Sequence, residues 1–136
     1  MYKVEKEVYR KLRINFPDLT LVQVIHVVDE LSVKEVKDLQ DEVDTILLDS
    51  GNPNKAIKEL GGTGKTHDWK ISSNIVSASK IPVFLPGGLD FLNVESAIKE
   101  VSPLGVAICS VVRSEGKLDE LKLNSFIRKV REHEEN

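Results

Sequence analysis

The chain has 136 residues, 40% of them hydrophobic, and its 19 basic and 22 acidic residues leave a net charge of −3. This length suffices for one domain with a sizeable core, and the single cysteine excludes an intramolecular disulfide and a multi-cysteine metal centre. The mildly acidic balance, the lack of a long apolar run and the charged first residues argue against nucleic acid, membrane insertion and secretion, so we expect a cytoplasmic protein without metal or cofactor.

Helical and strand-like patterns alternate along the sequence, and Ser32 and Glu35 have the spacing of a capping box. Strict alternation predicts right-handed crossovers and a parallel α/β sheet, and the apolar strands suggest a sheet covered on both faces. The first half of the chain predicts a helix with Val4, Val8 and Leu12 on one face, a strand over Thr20–Val27, a helix with Val36, Leu39 and Val43, and a strand over Asp44–Asp49. A helix from Asp68 and a strand over Pro82–Leu85 follow. The last predicted elements are a helix with Val94, Ala97, Ile98 and Val101, a strand over Gly105–Ser110, and a helix with Leu123, Phe126, Ile127 and Val130.

An unusually long connection follows the second strand. The unit that begins at residue 44 is about 14 residues longer than its neighbours, and the excess lies in Ser50–Thr66. The segment GGTGKT (61–66) ends like a phosphate-binding loop, but Glu59 stands where that motif requires glycine, and no strand precedes the segment directly. We therefore reject nucleoside triphosphate binding and expect a flexible lid over a ligand, with ordinary turn chemistry as the alternative.

Polar groups follow the predicted strands at their carboxyl ends. Asp49 ends the second strand, where a carboxyl group can act as general acid or base or can simply form a turn. Gly87 and Gly88 follow the third strand and let backbone N–H groups face an anion, although a glycine pair also makes ordinary turns. Ser110, at the end of the fourth strand, could donate to the same anion. His26, inside the first strand, is expected to be a satisfied core or strand-end histidine.

Four segments carry a resemblance to a known enzyme family. Taken in order, ILLDS (46–50), GGTGKTHDW (61–69), PVFLPGGL (82–89) and SVVRSEGKLD (110–119) resemble phosphoribosylanthranilate isomerase, an enzyme of tryptophan biosynthesis. The resemblance covers nearly the whole chain but only strands five to eight of that family's barrel. It implies a (βα)4 half of a TIM barrel with an extra amino-terminal helix, forming a single domain over residues 1–136.

The resemblance also implies roles for individual residues. The family performs the Amadori rearrangement of an N-(5′-phosphoribosyl)anthranilate, an aldose–ketose isomerisation in which a general acid Asp opens the ribose ring and a general base Cys removes the C2′ proton. Asp49 matches the acid. The residues matched to substrate or phosphate binding, consistent with the phosphate sites common in such barrels, are Gly62, Gly64, Lys65, Gly87, Gly88 and Ser110.

The fourth strand departs from the family pattern. The family's base stands at the end of strand one, which these 136 residues do not match. A substrate-contacting Asp is Ala107 here, a glycine near the phosphate is Val111, and a Glu is Arg113. Because a β-branched residue disfavours positive φ, we expect a weakened or reshaped phosphate site. Cys109 is interpreted as a buried core cysteine, with replacement of the missing base as the less favoured alternative.

An open sheet of four parallel strands leaves two edges and an inner face to be covered, which predicts self-association. A homodimer, another homo-oligomer or a complementary half-barrel would provide that cover. Two functions remain open: an isomerase acting on a phosphorylated sugar substrate, alone or with a second half, and a non-catalytic half-barrel that binds a phosphorylated small molecule or serves as an assembly unit.

Overall fold

The computed structural model of the chain describes residues 3–49 and 62–133, and for residues 62–68 it describes the backbone alone. The predicted alternation of helix and strand is confirmed as far as the fourth strand, and a short 3-10 turn over Ser110–Val112 follows it. In chain order the elements are α1 (Lys6–Asn15), β1 (Val22–His26), α2 (Leu31–Leu39), β2 (Thr45–Asp49), α3 (Gly62–Ala78), β3 (Val83–Pro86), α4 (Val94–Val101), β4 (Gly105–Ala107), β5 (Arg113–Ser114), β6 (Lys117–Leu118) and α5 (Glu120–Arg131).

Strands β1 to β4 form one parallel sheet, in which each strand lies beside the next one along the chain. The connection between successive strands contains a helix in each case, as parallel crossovers require. The predicted α/β fold class with a parallel sheet is therefore confirmed. Strands β5 and β6 form a separate antiparallel hairpin, whose turn residues Glu115 and Gly116 have φ values of 51° and 77°.

Helices bury one face of the sheet. Helix α3 packs against α2 and α4, and α4 also packs against α5. Because side chains alternate between the two faces of a strand, every second strand residue enters this helical layer. The buried strand residues are Ile25, Ile46, Leu48, Val83 and Leu85, and they meet Val36, Leu39, Ile71, Ile75, Val94, Ala97, Val101 and Phe126 of the helices.

The opposite face of the sheet, which we call the open face, is covered much less. Val22 and Val24 of β1 are 53% and 41% exposed, and Leu47 of β2 is half-buried. The ring of Phe84 lies beside Gly105, where a Cβ atom would come within 2.6 Å of the ring atom Cε1. Among the described residues, the expected cover on both faces is therefore present on the helical face only.

The predicted apolar face of α1 is confirmed at Val4, which packs partly buried against the core, and wrong at Val8. Val8 is 46% exposed, whereas Tyr9 is 5% exposed and belongs to the core. The hydroxyl group of Tyr9 donates a hydrogen bond to Oε1 of Gln23 on β1, at 2.5 Å. Docking of this ring on the sheet turns Tyr9 instead of Val8 toward the core, while Leu12 is half-buried.

The predicted capping box at Ser32 and Glu35 is also wrong. Helix α2 begins at Leu31, so Ser32 lies inside its first turn and is buried. Its Oγ accepts a hydrogen bond from the backbone N–H of Val28 (3.2 Å), while Oδ1 of Asp29 accepts one from the N–H of Leu31 (2.8 Å). Asp29 thus satisfies the helix start that Ser32 was predicted to cap.

Asp44 joins α1 to the first two strands. Its Oδ2 lies 3.0 Å from Nη1 of Arg13 and accepts a hydrogen bond from the N–H of Leu21 at 2.7 Å. The side-chain hydrogen bond from Arg13, followed by the backbone bond from Leu21, holds the pKa of this carboxyl group below its usual value. The folded chain therefore binds fewer protons here than the unfolded chain does in the interval between the two pKa values.

Asp44→Asn should flatten the acid limb of the stability curve. The wild-type contribution of Asp44 is complete above the unfolded pKa of about 3.9 and is lost as the pH falls through the lower folded pKa. Urea denaturation between about pH 6 and pH 2 measures this loss, which spans the interval between those two pKa values. Asp41→Asn, at an exposed position of the same connection, is the control. Acid limbs of equal slope in wild type and Asp44→Asn would contradict the assignment.

Ile75→Ala tests the helical layer. The wholly buried Ile75 side chain leaves a cavity when truncated, so the free energy of unfolding should fall by about 2–5 kcal/mol. Ile14→Ala is the matched control, because it makes the same helical exchange at a side chain that is 78% exposed, and it should change stability by no more than about 0.5 kcal/mol. Urea denaturation followed by far-UV circular dichroism compares the two. Equal losses would show that Ile75 is not in the core.

Candidate functional site

The carboxyl ends of β1 and β2 bring a histidine beside an aspartate. His26 and Asp49 are register partners and the last residues of their strands. Nδ1 of His26 lies 3.3 Å from Oδ2 of Asp49, and both side chains are partly exposed. Asp49 is therefore placed at the strand end as predicted, and its carboxyl group is accessible enough to meet a ligand.

A tight loop follows β3 at the same edge. Gly87 and Gly88 have φ values of 76° and 65°, a backbone conformation that side chains with a Cβ rarely adopt. The side chain of Asn93 holds this loop, because its Nδ2 donates to the carbonyl of Gly88 (2.7 Å) and its Oδ1 accepts from the N–H of Asp90 (2.8 Å). Oδ1 of Asp90 in turn accepts from the N–H groups of Leu92 (2.8 Å) and Asn93 (2.9 Å). Side-chain hydrogen bonds thus fix the conformation of the glycine loop before α4.

A cleft of about 260 Å³ lies between this loop and the end of β4. Among the described residues its lining contains no charged side chain. An anion in this cleft would therefore be held by backbone N–H groups and a hydroxyl group. The lining residues are Pro86, Gly87, Gly88, Leu89, Ala107, Ile108, Cys109, Ser110 and Val111.

The fourth strand is shorter than predicted. It ends at Ala107 rather than at Ser110, because the chain bends at Cys109 (φ −141°, ψ −70°) and enters the 3-10 turn. The turn places Val112 in the core, with 4% exposure. Strand alternation therefore does not continue to Cys109, and the thiol is exposed instead of being a buried core group.

The structure also shows what Val111 and Arg113, which differ from the family pattern, contact in this segment. Val111 packs partly buried against the core, and its φ is not among the positive values, so the turn does not use the conformation that a glycine would allow. Arg113 donates from Nη1 to the carbonyl of Gly116 at 2.9 Å and is exposed. Its guanidinium group therefore braces the β5–β6 hairpin.

The predicted lid is partly helical. Gly62, Gly64 and Lys65 lie in the first turns of α3, which begins at Gly62 instead of near Asp68. Glycine disfavours a helix interior by about 1 kcal/mol relative to alanine, but a helix anchored by the buried Ile71 and Ile75 adds further turns at little cost. The rest of the predicted lid, residues 50–61, lies outside the described residues, as do the side chains of 62–68.

The part of the chain that the structure describes contains no group of three or more His, Cys, Asp or Glu side chains arranged to hold a metal ion. No helix in the same ranges is both long and apolar enough to cross a membrane.

Comparison with known proteins identifies the family. The sequence matches the family model of N-(5′-phosphoribosyl)anthranilate isomerase over residues 4–129. The chain belongs to this isomerase family. Curated isomerases of this name share 43% identity over 101 residues in Methanosarcina acetivorans and 39% over 117 residues in Thermoanaerobacter pseudethanolicus. Among solved structures, the phosphoribosyl anthranilate isomerases from Thermococcus kodakaraensis and Thermotoga maritima match with TM-scores of 0.74 and 0.73, both at 27% identity.

The match covers most of this chain but only part of each isomerase. The two curated alignments cover 73% and 86% of this chain against 41% and 54% of the relatives. The two structural alignments cover 94% and 96% of this chain against 59% and 58% of the solved chains. The chain thus spans about half the length of the curated relatives it matches.

Two features of the site were not predicted from the sequence. The contact between His26 and Asp49 depends on the strand register, and no local pattern reports register. The hold of Asn93 on the glycine loop has a sequence signal, because Asp and Asn side chains such as those of Asp90 and Asn93 commonly hydrogen-bond to nearby backbone groups in turns.

Asn93→Ala should loosen the glycine loop. Loss of its two hydrogen bonds is expected to lower the free energy of unfolding by about 1–2 kcal/mol and to speed hydrogen exchange at the N–H of Asp90. Asn124→Ala, at an exposed position of α5, is the control and should change neither quantity. Unchanged protection of the Asp90 amide in Asn93→Ala would contradict this account.

Proposed function

We propose that this chain is a (βα)4 half-barrel domain, residues 1–136, of an N-(5′-phosphoribosyl)anthranilate isomerase that acts in tryptophan biosynthesis in the cytoplasm. Asp49 is the general acid that opens the ribose ring, and the cleft beside Gly87 and Gly88 holds the phosphate group of the substrate. The observation that carries the proposal is the shared edge of the sheet, where the carboxyl group and the cleft lie at the ends of consecutive strands.

The strand register supports a common site for these groups. The pairing of Leu47 with Phe84 brings Asp49 level with Pro86, and Pro86 is itself paired with Ala107. The glycine loop begins one residue after Pro86, so the acid and the cleft meet along one edge. Ligands of parallel α/β sheets bind at the carboxyl ends of the strands, which is the edge in question.

The cleft suits a phosphate group held mainly by the backbone. Positive φ at Gly87 and Gly88 lets successive N–H groups form a concave anion site, and the hydroxyl group of Ser110 lines the same cleft. Gly62, Gly64 and Lys65 are assigned to the substrate site on the family resemblance, and Lys65 would bring the positive charge that the cleft lining does not provide.

The reaction needs a general base that these residues do not supply in the family's position. We propose that a second half-barrel covers the open face and provides it, since Val22 and Val24 remain exposed there. A complementary half-barrel is favoured over a second copy of this one, because a second copy would bring another Asp49 and no strand-one base. The exposed thiol of Cys109 is a further candidate, and among the residues that the structure describes no cationic group lines its cleft to activate it.

Turnover of N-(5′-phosphoribosyl)anthranilate tests the proposal. The change in fluorescence of the anthranilate group, as substrate is converted to product, is followed in two samples. One contains the chain alone, and the other is a mixture of the chain with a polypeptide that spans the amino-terminal half of the Thermotoga maritima enzyme. We expect turnover in the mixture, and we expect Asp49→Asn to lower kcat by at least about 100-fold because it removes the general acid. Asp41→Asn, an exposed carboxylate in the connection before β2, is the control and should retain activity. Turnover that survives Asp49→Asn would contradict the assigned role.

Val111→Gly should tighten phosphate binding. Glycine removes the β-branched side chain from the cleft lining and restores backbone freedom at the position where the family has glycine. Titration with inorganic phosphate, followed by amide shifts of Gly87, Gly88 and Ser110, measures the dissociation constant. Val28→Gly, at an exposed valine away from the cleft, controls for the added chain entropy. An unchanged constant in Val111→Gly would contradict the assignment.

A second candidate function is binding of a phosphorylated small molecule without catalysis. Val111 and Ala107 favour it, because they stand in the cleft lining where the resemblance predicts glycine and a substrate-contacting Asp. Phosphate binding at Gly87 and Gly88 without turnover in either arrangement of the assay would favour this function over isomerisation.

A further inference from the structure

We infer that His26 is a positioning residue that orients the carboxyl group of Asp49 for proton transfer. This inference rests on the general-acid role proposed above. Nδ1 of the imidazole lies 3.3 Å from Oδ2 of the carboxyl group, across the last register pair of β1 and β2. The two side chains point to the open face, which is the face on which a barrel substrate lies.

Backbone contacts fix the two residues relative to each other. The N–H of Val27 donates to the carbonyl of Asp49 at 2.9 Å, directly beyond the register pair. On the other side, Oγ of the buried Ser32 donates to the carbonyl of His26 at 3.4 Å and accepts from the N–H of Val28 at 3.2 Å. Because these bonds hold the backbone at both residues, only the side-chain torsions of His26 and Asp49 set the distance between the imidazole and the carboxyl group.

The ring nitrogen needs the carboxylate. Nδ1 of His26 is buried and lacks an aligned hydrogen bond at the present ring orientation, although Oδ2 of Asp49 is within ion-pair distance. An unsatisfied buried polar atom costs free energy, and a hydrogen bond from Nδ1–H to that oxygen would remove this cost. Catalytic hydrogen bonds are often long or poorly aligned before substrate binds and tighten in the complex.

This contact has a defined use in the proposed step. The proton leaves the carboxyl group of Asp49 for the ribose ring oxygen, the C1′–O bond breaks, and the lone pair of the anthranilate nitrogen forms the C=N bond. The carboxylate that remains accepts a hydrogen bond from Nδ1–H of His26, which stabilises the charge and limits rotation of the carboxyl group.

The groove beside His26 contains other ionisable side chains. It has a volume of about 180 Å³ and is also lined by Lys3, Tyr9, Gln23 and Glu35. Tyr9 is already paired with Gln23, and burial, followed by the charge of Glu35, raises the pKa of the Tyr9 hydroxyl. Among the described carboxylates, that of Asp49 is within ion-pair distance of the ring.

The tautomer of His26 tests the contact without any assay of activity. Long-range 1H–15N NMR on the full chain distinguishes Nδ1–H from Nε2–H when the ring is neutral. Wild type should show Nδ1–H, and Asp49→Ala should show the Nε2–H form. Glu95→Ala is the control, because Glu95 faces Nε2 of another histidine, His133, at 3.8 Å, and it should leave His26 unchanged. Nε2–H in wild type, or Nδ1–H retained in Asp49→Ala, would overturn the inference.

Two substitutions of His26 test the positioning role. His26→Asn places an amide N–H near the site of Nδ1, whereas His26→Gln places it near Nε2. In the turnover assay above, kcat should stay within about threefold for His26→Asn and fall roughly tenfold or more for His26→Gln, with KM unchanged in both. Equal kcat values in the two folded variants would overturn the inference. A wild type without turnover would refute the proposed function instead, and the tautomer measurement would still decide the contact.

Discussion

Parallel pairing of β1 to β4 in sequence order brings the residues of the candidate site to one edge of the sheet. Each of these strands is only three to five residues long. The last residue of one strand therefore lies close to the loop that follows the neighbouring strand. The register sets His26 against Asp49 and Pro86 against Ala107. Since a slip by one residue would turn these side chains to the opposite face, the candidate site depends on this register more than on any single contact.

Register is held from the helical side of the sheet. Ile46 and Leu48 are wholly buried against the helices, which leaves Leu47 and Asp49 on the open face. The same alternation therefore builds the core and presents the carboxyl group of Asp49 on the open face. It also explains why the open face carries Val22 and Val24, which suit contact with further protein more than contact with water.

The order and type of the elements, the family and the position of Asp49 could be predicted from the sequence. Those features are encoded locally, by hydrophobic period and by motifs such as ILLDS and PVFLPGGL. Errors arose where packing competes with a local pattern. Tyr9 docks on β1 through Gln23 and takes the core position predicted for Val8. The chain bends at Cys109 and places Val112 in the core, so Cys109 does not follow the strand. The start of α3 was misplaced because glycine signals a loop, whereas a packed helix extends through it.

The sequence by itself determined the fold class, the family and the residues that end the strands, because these follow from periodicity and from motifs a few residues long. Only the tertiary structure decided which of those residues face one another. The pairing of His26 with Asp49, the hold of Asn93 on Gly88 and the exposure of Cys109 each depend on atoms brought together by strand register or by a turn. Contacts of that kind follow from the packing of the whole layer, and no local pattern of residues reports them.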